Sequence, residues 1–323
     1  MPTRILIAEP LDFSPRAVSL LSKTADVELR ACDRAGLERA LTEFDVVWFR
    51  LAHRIDRQML AHATRCRILA TPVTGLDHID LVACRERGIR VVSLRGEIEF
   101  LRIVRATAEL TVGLTLALLR QIPQAAAAVH AGTWDRDRFR GQELYGKTIG
   151  LVGVGRLGSL VAGYFRAFGA EVLGYDPRAD FPNQLCSRVT ELEELMRRSD
   201  IVSIHASYGD DTRHLIGRAE LAALRPGAFL INTARGGIVD EQALIDCLDR
   251  GQLAGAALDV LDGEPDVTPR HPLIAYAREH ANVLIVPHIG GNTRESFEKT
   301  ECFLAGRVLE ALASPDRPGS ERC

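Results

Sequence analysis

At 323 residues the chain exceeds the commonest single-domain size, and at 46% hydrophobic it can bury two ordinary cores. A formal net charge of −3 on a composition that is 26% charged leaves no basic excess to hold a phosphate backbone, so nucleic acid is not an expected partner. The seven cysteines, at positions 32, 66, 84, 186, 247, 302 and 323, have no C-x-x-C spacing and an odd count, which excludes a complete disulfide framework and fits a reducing cytoplasm.

The N-terminus MPTRILIAEP carries a short apolar run closed by Glu9 and Pro10, so it is read as a first strand and not as a signal peptide. Short β-like runs then alternate with helical patterns. Ile5–Ala8 precedes a helix over Pro15–Lys23, Val27–Arg30 precedes Arg34–Thr42, and Val46–Phe49 precedes Arg57–Ala63. Ile68–Ala70 and Val91–Val92 flank a helical pattern at Leu81–Arg87. Ser14 before Pro15 supplies an N-cap and a first helical residue. This alternation predicts an α/β fold with parallel strands and crossover helices.

From residue 103 one long helical pattern is expected to run to about His130, kinked at Pro123. Its most apolar part, Leu110–Leu119, falls short of the roughly 20 residues that span a bilayer, so no membrane partner is expected. A second β/α series opens at Thr148 and continues through Glu171–Tyr175, Ile201–Ile204, Ala228–Ile231, Gly255–Leu258 and Val283–Val286. A last helix over Arg294–Leu312 precedes a tail expected to fray. The two series share no sequence and are read as two separate Rossmann-like or flavodoxin-like domains.

Gly153, Gly155 and Gly158 stand in the spacing G-x-G-x-x-G between a strand and a helix, and Asp176 follows the next strand. Gly153 permits the tight turn, Gly155 lets a pyrophosphate approach the backbone, and Gly158 lets helix and strand pack closely, with the helix N-terminus favouring phosphate charge. The Asp176 carboxylate can accept hydrogen bonds from the adenosine ribose. It would repel a 2′-phosphate by several kcal/mol at ~4 Å and an effective dielectric near 20, so NAD (NADH) is expected over NADP, with the nearby Arg178 opposing that preference.

Three later segments place polar residues at strand ends: INTARGGIVDEQAL with Arg235, ALDVLDGEPD with Asp259 and Glu264, and IVPHIGGNT with His288. Together with GVGRLG, YDP, SDIVSIH and LRPGAFLINTARGGIVDE, in this order and spacing, they resemble the D-isomer-specific 2-hydroxyacid dehydrogenase family over nearly the whole chain. Reduction of a 2-keto acid needs a carboxylate anchor, which suits the planar fork of Arg235. It also needs a proton donor, which suits His288 because histidine titrates near neutrality. The resemblance implies that Glu264 sits behind His288, holds its tautomer and stabilises imidazolium. It further implies that Asp259 bonds the nicotinamide carboxamide, and that the backbones of His205–Ala206 and Thr233–Ala234 line the cofactor, with Arg156, Leu157 and Gly291 completing its contacts.

By the same resemblance, residues 1–105 with 290–323 form the substrate domain and 106–289 the NAD-binding domain, with hinges near residues 105 and 290. A homodimer through the cofactor domain is implied, with residues 123–147 reaching across. Within the family, RQIPQAAAAVHAGTWDRDRFRGQELYGKTIG is closest to short D-3-phosphoglycerate dehydrogenases without a regulatory domain, so no serine feedback is expected. There Arg136 matches an arginine that reaches a neighbouring subunit's substrate, and Arg50 falls where the substrate domain offers a basic residue. Val73, Thr74 and Gly75 match the family's substrate-backbone turn, whereas Thr71 stands where phosphoglycerate enzymes often carry arginine.

The substrate loop before the A-x-A-E-like helix has grown by about half a dozen residues into SLRGEIEFLRIVRATAEL, with Arg95, Arg102 and Arg105 among apolar neighbours. These arginines are expected to meet a second anionic group, such as a phosphate, phosphonate or carboxylate, on a small D-2-hydroxy or 2-keto acid. Hydroxypyruvate or glyoxylate reduction is the alternative within enzymes, and an NAD-sensing corepressor the alternative outside them. No metal site is expected.

Overall fold

A computed structural model describes residues 2–314. The tail expected to fray, 315–323, lies outside them together with Cys323. The chain divides into two compact units, one built from the chain before Arg105 and after Asn292, the other from Arg105–Asn292.

The first unit is a five-stranded sheet of β1 (Thr3–Ile7), β2 (Ala25–Leu29), β3 (Val46–Trp48), β4 (Ile68–Ala70) and β5 (Arg90–Val92). Every pairing is parallel, in the order β2-β1-β3-β4-β5, which is a flavodoxin-like arrangement. β3 and β4 are buried at every position, as continuous apolar runs between two helical layers must be. The crossover helices start where the sequence supplies caps. Ser14 Oγ accepts from the Ala17 N–H at 3.3 Å, and Asp33, Asp56 and Asp80 accept from Gly36, Met59 and Ala83 at 2.7, 2.8 and 2.8 Å. One face of the sheet packs on Leu37, Leu41, Phe44 and Met59, and the other on Leu21, Leu304 and Val308, the last two from the C-terminal helix Arg294–Ala313.

The second unit holds β6 (Thr148–Val152), β7 (Glu171–Tyr175), β8 (Ser187–Arg188), β9 (Ile201–Ile204), β10 (Ala228–Asn232), β11 (Leu253–Leu258) and β12 (Val283–Ile285). Their order is β12-β11-β10-β9-β6-β7-β8, again parallel throughout. Numbered within the unit this is 3-2-1-4-5-6 with one strand added, the doubly wound dinucleotide order. The order reverses between β6 and β9, so the crevice beyond their C-terminal ends is the switch point where such sheets bind ligands. The two-residue edge strand β8 was not expected from the sequence.

The single helix expected from residue 103 to His130 is corrected. The structure has one helix over Ala106–Leu119 and another over Ile122–His130, separated at Gln121, whose φ is 50°. Pro123 kinks nothing: it sits in the first turn of the second helix, where its missing N–H has no intrahelical partner to lose. Among the described residues no single helix is long and apolar enough to cross a membrane.

Candidate active site

At the switch point of the second unit, each fingerprint glycine has a steric reason. Gly153 has φ 90°, and a Cβ there would lie 2.6 Å from the Ala206 amide nitrogen. At Gly158 a Cβ would lie 2.2 Å from Gly153 O, whereas at Gly155, the N-cap of helix Arg156–Ala167, it would meet nothing nearer than Arg178 at 3.8 Å. The first and third glycines therefore bring the turn, His205–Ala206 and the helix together, while the second leaves room beside the backbone. That is the space a pyrophosphate needs at a helix N-terminus. Leu157 and Arg156 lie half-buried in the first turn of that helix, and burial lowers the Arg156 guanidinium from its usual range.

His205 follows β9, and its Nε2 pairs with Ser203 Oγ at 2.9 Å. Burial pushes the imidazole down to about 4, so it is neutral near pH 7 and puts no cation beside the turn. Between its ordinary value of 6.5 and about 4, the unfolded chain binds the proton and the folded one does not, so this group withdraws stability as pH falls through that window. We expect His205→Gln to flatten the decline of Tm from pH 6.5 to pH 4 relative to the parent. Parallel declines in thermal melts would remove His205 as the source. Asp176 follows β7 and is bonded by Arg178 and by the Val154 N–H at 2.8 Å.

The ends of β10, β11 and β12 carry the second group. Thr233 is buried, its Oγ1 2.8 Å from that of Thr111. The Asn232 side chain braces the next turn by accepting from the Ala234 N–H at 3.0 Å and donating to Arg235 O at 2.9 Å. Arg235 itself is half-buried, with Nη1 donating to Ala234 O at 2.8 Å. His288 adopts the left-handed region, φ 52°, and its N–H donates to Asp259 O at 2.8 Å. Its Nδ1 pairs with the Glu264 carboxylate. The other Glu264 oxygen accepts from the Leu261 N–H at 2.9 Å, so the 261–264 loop is folded onto its own catalytic candidate.

The next amide of that loop, Asp262 N–H, is held by Glu241 Oε1 at 2.8 Å, and Glu241 in turn pairs with His271 at 3.1 Å. Burial raises the Glu241 carboxyl from its ordinary value. Asp259 is fully buried. Its two oxygens hold the amides of Ile289 and Gly290 at 2.6 and 2.9 Å, and burial, opposed by those donors, pushes its carboxyl up to about 6. It thus anchors the loop bearing His288.

Of the substrate candidates, Val73, Thr74, Gly75 and Arg95 come together at the C-terminal ends of β4 and β5 in the first unit. Leu94 N–H donates to Val73 O at 3.0 Å, and Arg95 Nε to Thr74 O at 3.4 Å. The lengthened loop forms a short helix, Ile98–Leu101, tied to the C-terminal helix by Phe100 stacked on Phe303 at 3.8 Å and by Glu97 paired with Arg307 at 3.0 Å. Arg102 is exposed and pairs with Glu99 at 3.1 Å. Arg105 is exposed at the N-cap of helix Ala106–Leu119. Arg136 is 92% exposed beside Asp137, on the segment before β6 and outside the strand-end loops that carry the groups above.

Arg50 is a correction. Its guanidinium is spent inside its own unit: Nε and Nη2 donate to Glu301 Oε1 at 3.1 and 2.6 Å, Nη1 donates to Leu11 O at 2.8 Å, and the plane lies 4.1 Å from the Phe297 ring. Glu301 is 0% exposed and also accepts from the Ser14 N–H at 2.7 Å, so Arg50 compensates a buried charge and does not stand ready for substrate. Arg50→Met should therefore lower stability by about 3 kcal/mol, the usual cost of stranding one partner of a buried pair, and should show in thermal or denaturant melts. A selective rise in KM with an unchanged melt would restore the substrate contact.

Sequence reasoning also missed two glycines. Gly291 is exposed with open space around it, whereas Gly290 is buried, and a Cβ there would stand 2.8 Å from Asp259 Oδ2. Gly236, next to Arg235, packs its Cα against the backbone of Leu261 and Asp262, where a Cβ would lie 1.9 Å from Leu261 C. The doublets Gly236-Gly237 and Gly290-Gly291 were the available signals.

Residues 112–290 match the family described as D-isomer specific 2-hydroxyacid dehydrogenase, NAD binding domain. The chain is 34% identical over 315 residues to a D-3-phosphoglycerate dehydrogenase of Methanocaldococcus jannaschii, covering 96% of this chain and 57% of that protein. It thus spans little more than half the length of that relative. It is 40% identical over 318 residues to a glyoxylate reductase of Aeropyrum pernix, covering 94% of this chain and 91% of the relative. The crystal structure of the TT0316 protein from Thermus thermophilus is similar with a TM-score of 0.84 and 34% identity, over 97% of each chain.

Proposed function

The chain belongs to the D-isomer specific 2-hydroxyacid dehydrogenase family, and from that premise we propose that it is an oxidoreductase interconverting a small D-2-hydroxy acid and its 2-keto acid. The observation that carries this reading is the Glu264–His288 pair, set with Arg235 on neighbouring strand ends of the sheet that bears the glycine fingerprint. Bound at the switch point, a nicotinamide dinucleotide would supply or accept the hydride. Gly153, Gly155, Gly158 and the N-terminus of helix Arg156–Ala167 would hold its pyrophosphate, and Asp176 its adenosine ribose, with NADH the expected donor.

The chain's own residues would divide the remaining work. Arg235 would bond the substrate carboxylate with its fork and polarise the adjacent carbonyl. Nδ1 of His288 is engaged by the Glu264 carboxylate, so Nε2 is the nitrogen that would exchange a proton with the substrate oxygen. Glu264 would stabilise imidazolium as that exchange proceeds.

We read the substrate as dianionic because the loop that presents Arg95 to Thr74 also exposes Arg102 and Arg105. Replacing all three by Gln is expected to lower kcat/KM for the dianionic keto acid more than ~10-fold, about 1.4 kcal/mol of transition-state binding. A change within about threefold would make them a solvated face.

The function itself is tested by NADH oxidation with phosphohydroxypyruvate, phosphonopyruvate, oxaloacetate, hydroxypyruvate and glyoxylate. Preference for the last two would support a hydroxypyruvate or glyoxylate reductase. Tight NADH binding without turnover of any would favour a dinucleotide-sensing binding protein. A homodimer through the second unit is also proposed, on the exposure of Ile122, Val129, Trp134 and Tyr145 along one segment. A monomeric sedimentation mass would refute it. A cytoplasmic location fits the free thiols of the described cysteines.

A further inference from the structure

Asp176 is 7% exposed, and its carboxylate is already saturated. Oδ1 accepts from the Arg178 backbone N–H and from Arg178 Nε, both at 3.0 Å. Oδ2 accepts from the Val154 N–H at 2.8 Å and from Arg178 Nη2 at 3.1 Å. A carboxylate offers about four acceptor positions, so none is left for a ribose diol while Arg178 stays in place. The same Nη2 donates to Val154 O at 3.2 Å and lies 3.8 Å from where a Cβ of Gly155 would stand, so the guanidinium overhangs the fingerprint turn.

The segment that carries this arginine is itself braced. Arg188 Nη2 donates to the carbonyls of Asp176 and Arg178 at 3.1 and 2.9 Å, and its guanidinium lies over the Phe181 ring. Arg178 Nη1 faces the exposed Asp180 across 3.8 Å, a pairing that water and salt weaken, and the Arg178 side chain is half exposed. Nη1, with its two N–H donors, is therefore the part of the guanidinium that is not committed to Asp176 or Val154. The Asp176–Arg178 pair is electrically neutral, so the like-charge repulsion that a lone Asp176 would exert on a 2′-phosphate is reduced, leaving Asp180 as the exposed carboxylate beside Nη1.

We propose that Arg178 is the 2′-phosphate ligand of an adenosine subsite that takes both dinucleotides. With NADPH, Arg178 stays on Asp176 and offers Nη1 to the 2′-phosphate, a charge-assisted contact for which arginine is suited. With NADH, Arg178 swings off and releases Asp176 to the 2′- and 3′-hydroxyls. The inference rests on the dinucleotide-binding reading above and replaces its simple preference for NADH by an exchange of partners on one carboxylate.

The test is direct binding, followed by the fluorescence of the reduced nicotinamide or by calorimetry, with NADH and NADPH on the parent, Arg178→Gln and Arg178→Lys. The parent is expected to bind NADPH within about tenfold of NADH. In Arg178→Gln, NADPH should weaken at least about tenfold while NADH is unchanged or tighter, and Arg178→Lys should fall between. Raising salt from about 50 to about 500 mM should weaken NADPH more than NADH in the parent, and equally in Arg178→Gln.

A parent that binds NADPH more than about 100-fold more weakly than NADH overturns the proposal, as does an Arg178→Gln protein that loses both alike while melting as the parent does. Should Arg178→Gln fail to fold, Arg178→Lys decides, since NADPH affinity unchanged in it together with weaker NADH overturns the proposal. A cooperatively melting parent that binds neither dinucleotide overturns the underlying dinucleotide reading and this inference with it.

Discussion

Replacing His288 with Asn is expected to lower kcat/KM for keto-acid reduction by about 10²–10⁴-fold, the span for loss of a positioned general acid, while dinucleotide binding stays near the parent's. Asn is the informative choice because His288 sits at φ 52°, a region that Asn tolerates, so the backbone bond from residue 288 to Asp259 O survives the change. An alanine there would mix lost chemistry with a strained loop. Glu264→Gln is the companion: it keeps a hydrogen bond toward Nδ1 but loses the negative charge facing it, so kcat/KM should fall while dinucleotide binding stays near the parent's. Steady-state rates across pH check both, and a parent-like kcat/KM for His288→Asn would remove this histidine from the chemistry.

Gly236→Ala should be as damaging by a different route. Its Cβ would stand 1.9 Å from Leu261 C, 2.1 Å from Asp262 N and 2.4 Å from Leu261 O, all backbone atoms that no rotamer change can clear. The 261–264 loop must move, carrying Glu264 away from His288. Overpacking of this kind costs about 3 kcal/mol or more, which lowers Tm by roughly 10 °C in a unit of this size. Activity should fall even where the protein remains folded. Gly113→Ala and Gly163→Ala are the controls, since both lie in helices with nothing within 4 Å of the added carbon. They should be neutral or stabilising by up to ~1 kcal/mol. A parent-like melt and rate for Gly236→Ala would show that the loop has slack the distances deny.

Most of the strand positions were legible because parallel strands buried on both faces write themselves as short apolar runs, and because Ser14 and Pro15 mark a helix start in adjacent residues. The fingerprint was legible for the same local reason: a turn, a close approach and a helix mouth lie within Gly153–Gly158. The helix break at Gln121 was not. Apolar spacing continues across it, and a left-handed φ at one residue leaves no mark on that spacing. Arg50 misled because its partner Glu301 lies 251 residues away, and nothing in VVWFR tells a braced arginine from a ready one. Gly236 and Gly290 were passed over because what excludes a Cβ there is backbone or carboxylate from another strand end.

The sequence by itself determined the α/β class, the residue types at the strand ends and, through its ordered motifs, the family. Each is set by local periodicity or by chemistry carried in a few adjacent residues. Only the tertiary structure decided what each charged group is doing: that Glu264 backs His288, that Arg50 neutralises Glu301, that Asp259 anchors a loop, and that Arg178 occupies Asp176. A charge taken out of water must be satisfied by whatever the fold brings within about 3 Å. For Arg50, Glu264 and Asp259 that neighbour comes from a distant stretch of chain. Even for Asp176 and Arg178, two residues apart, the pairing depends on the turn that aims one side chain back over the other.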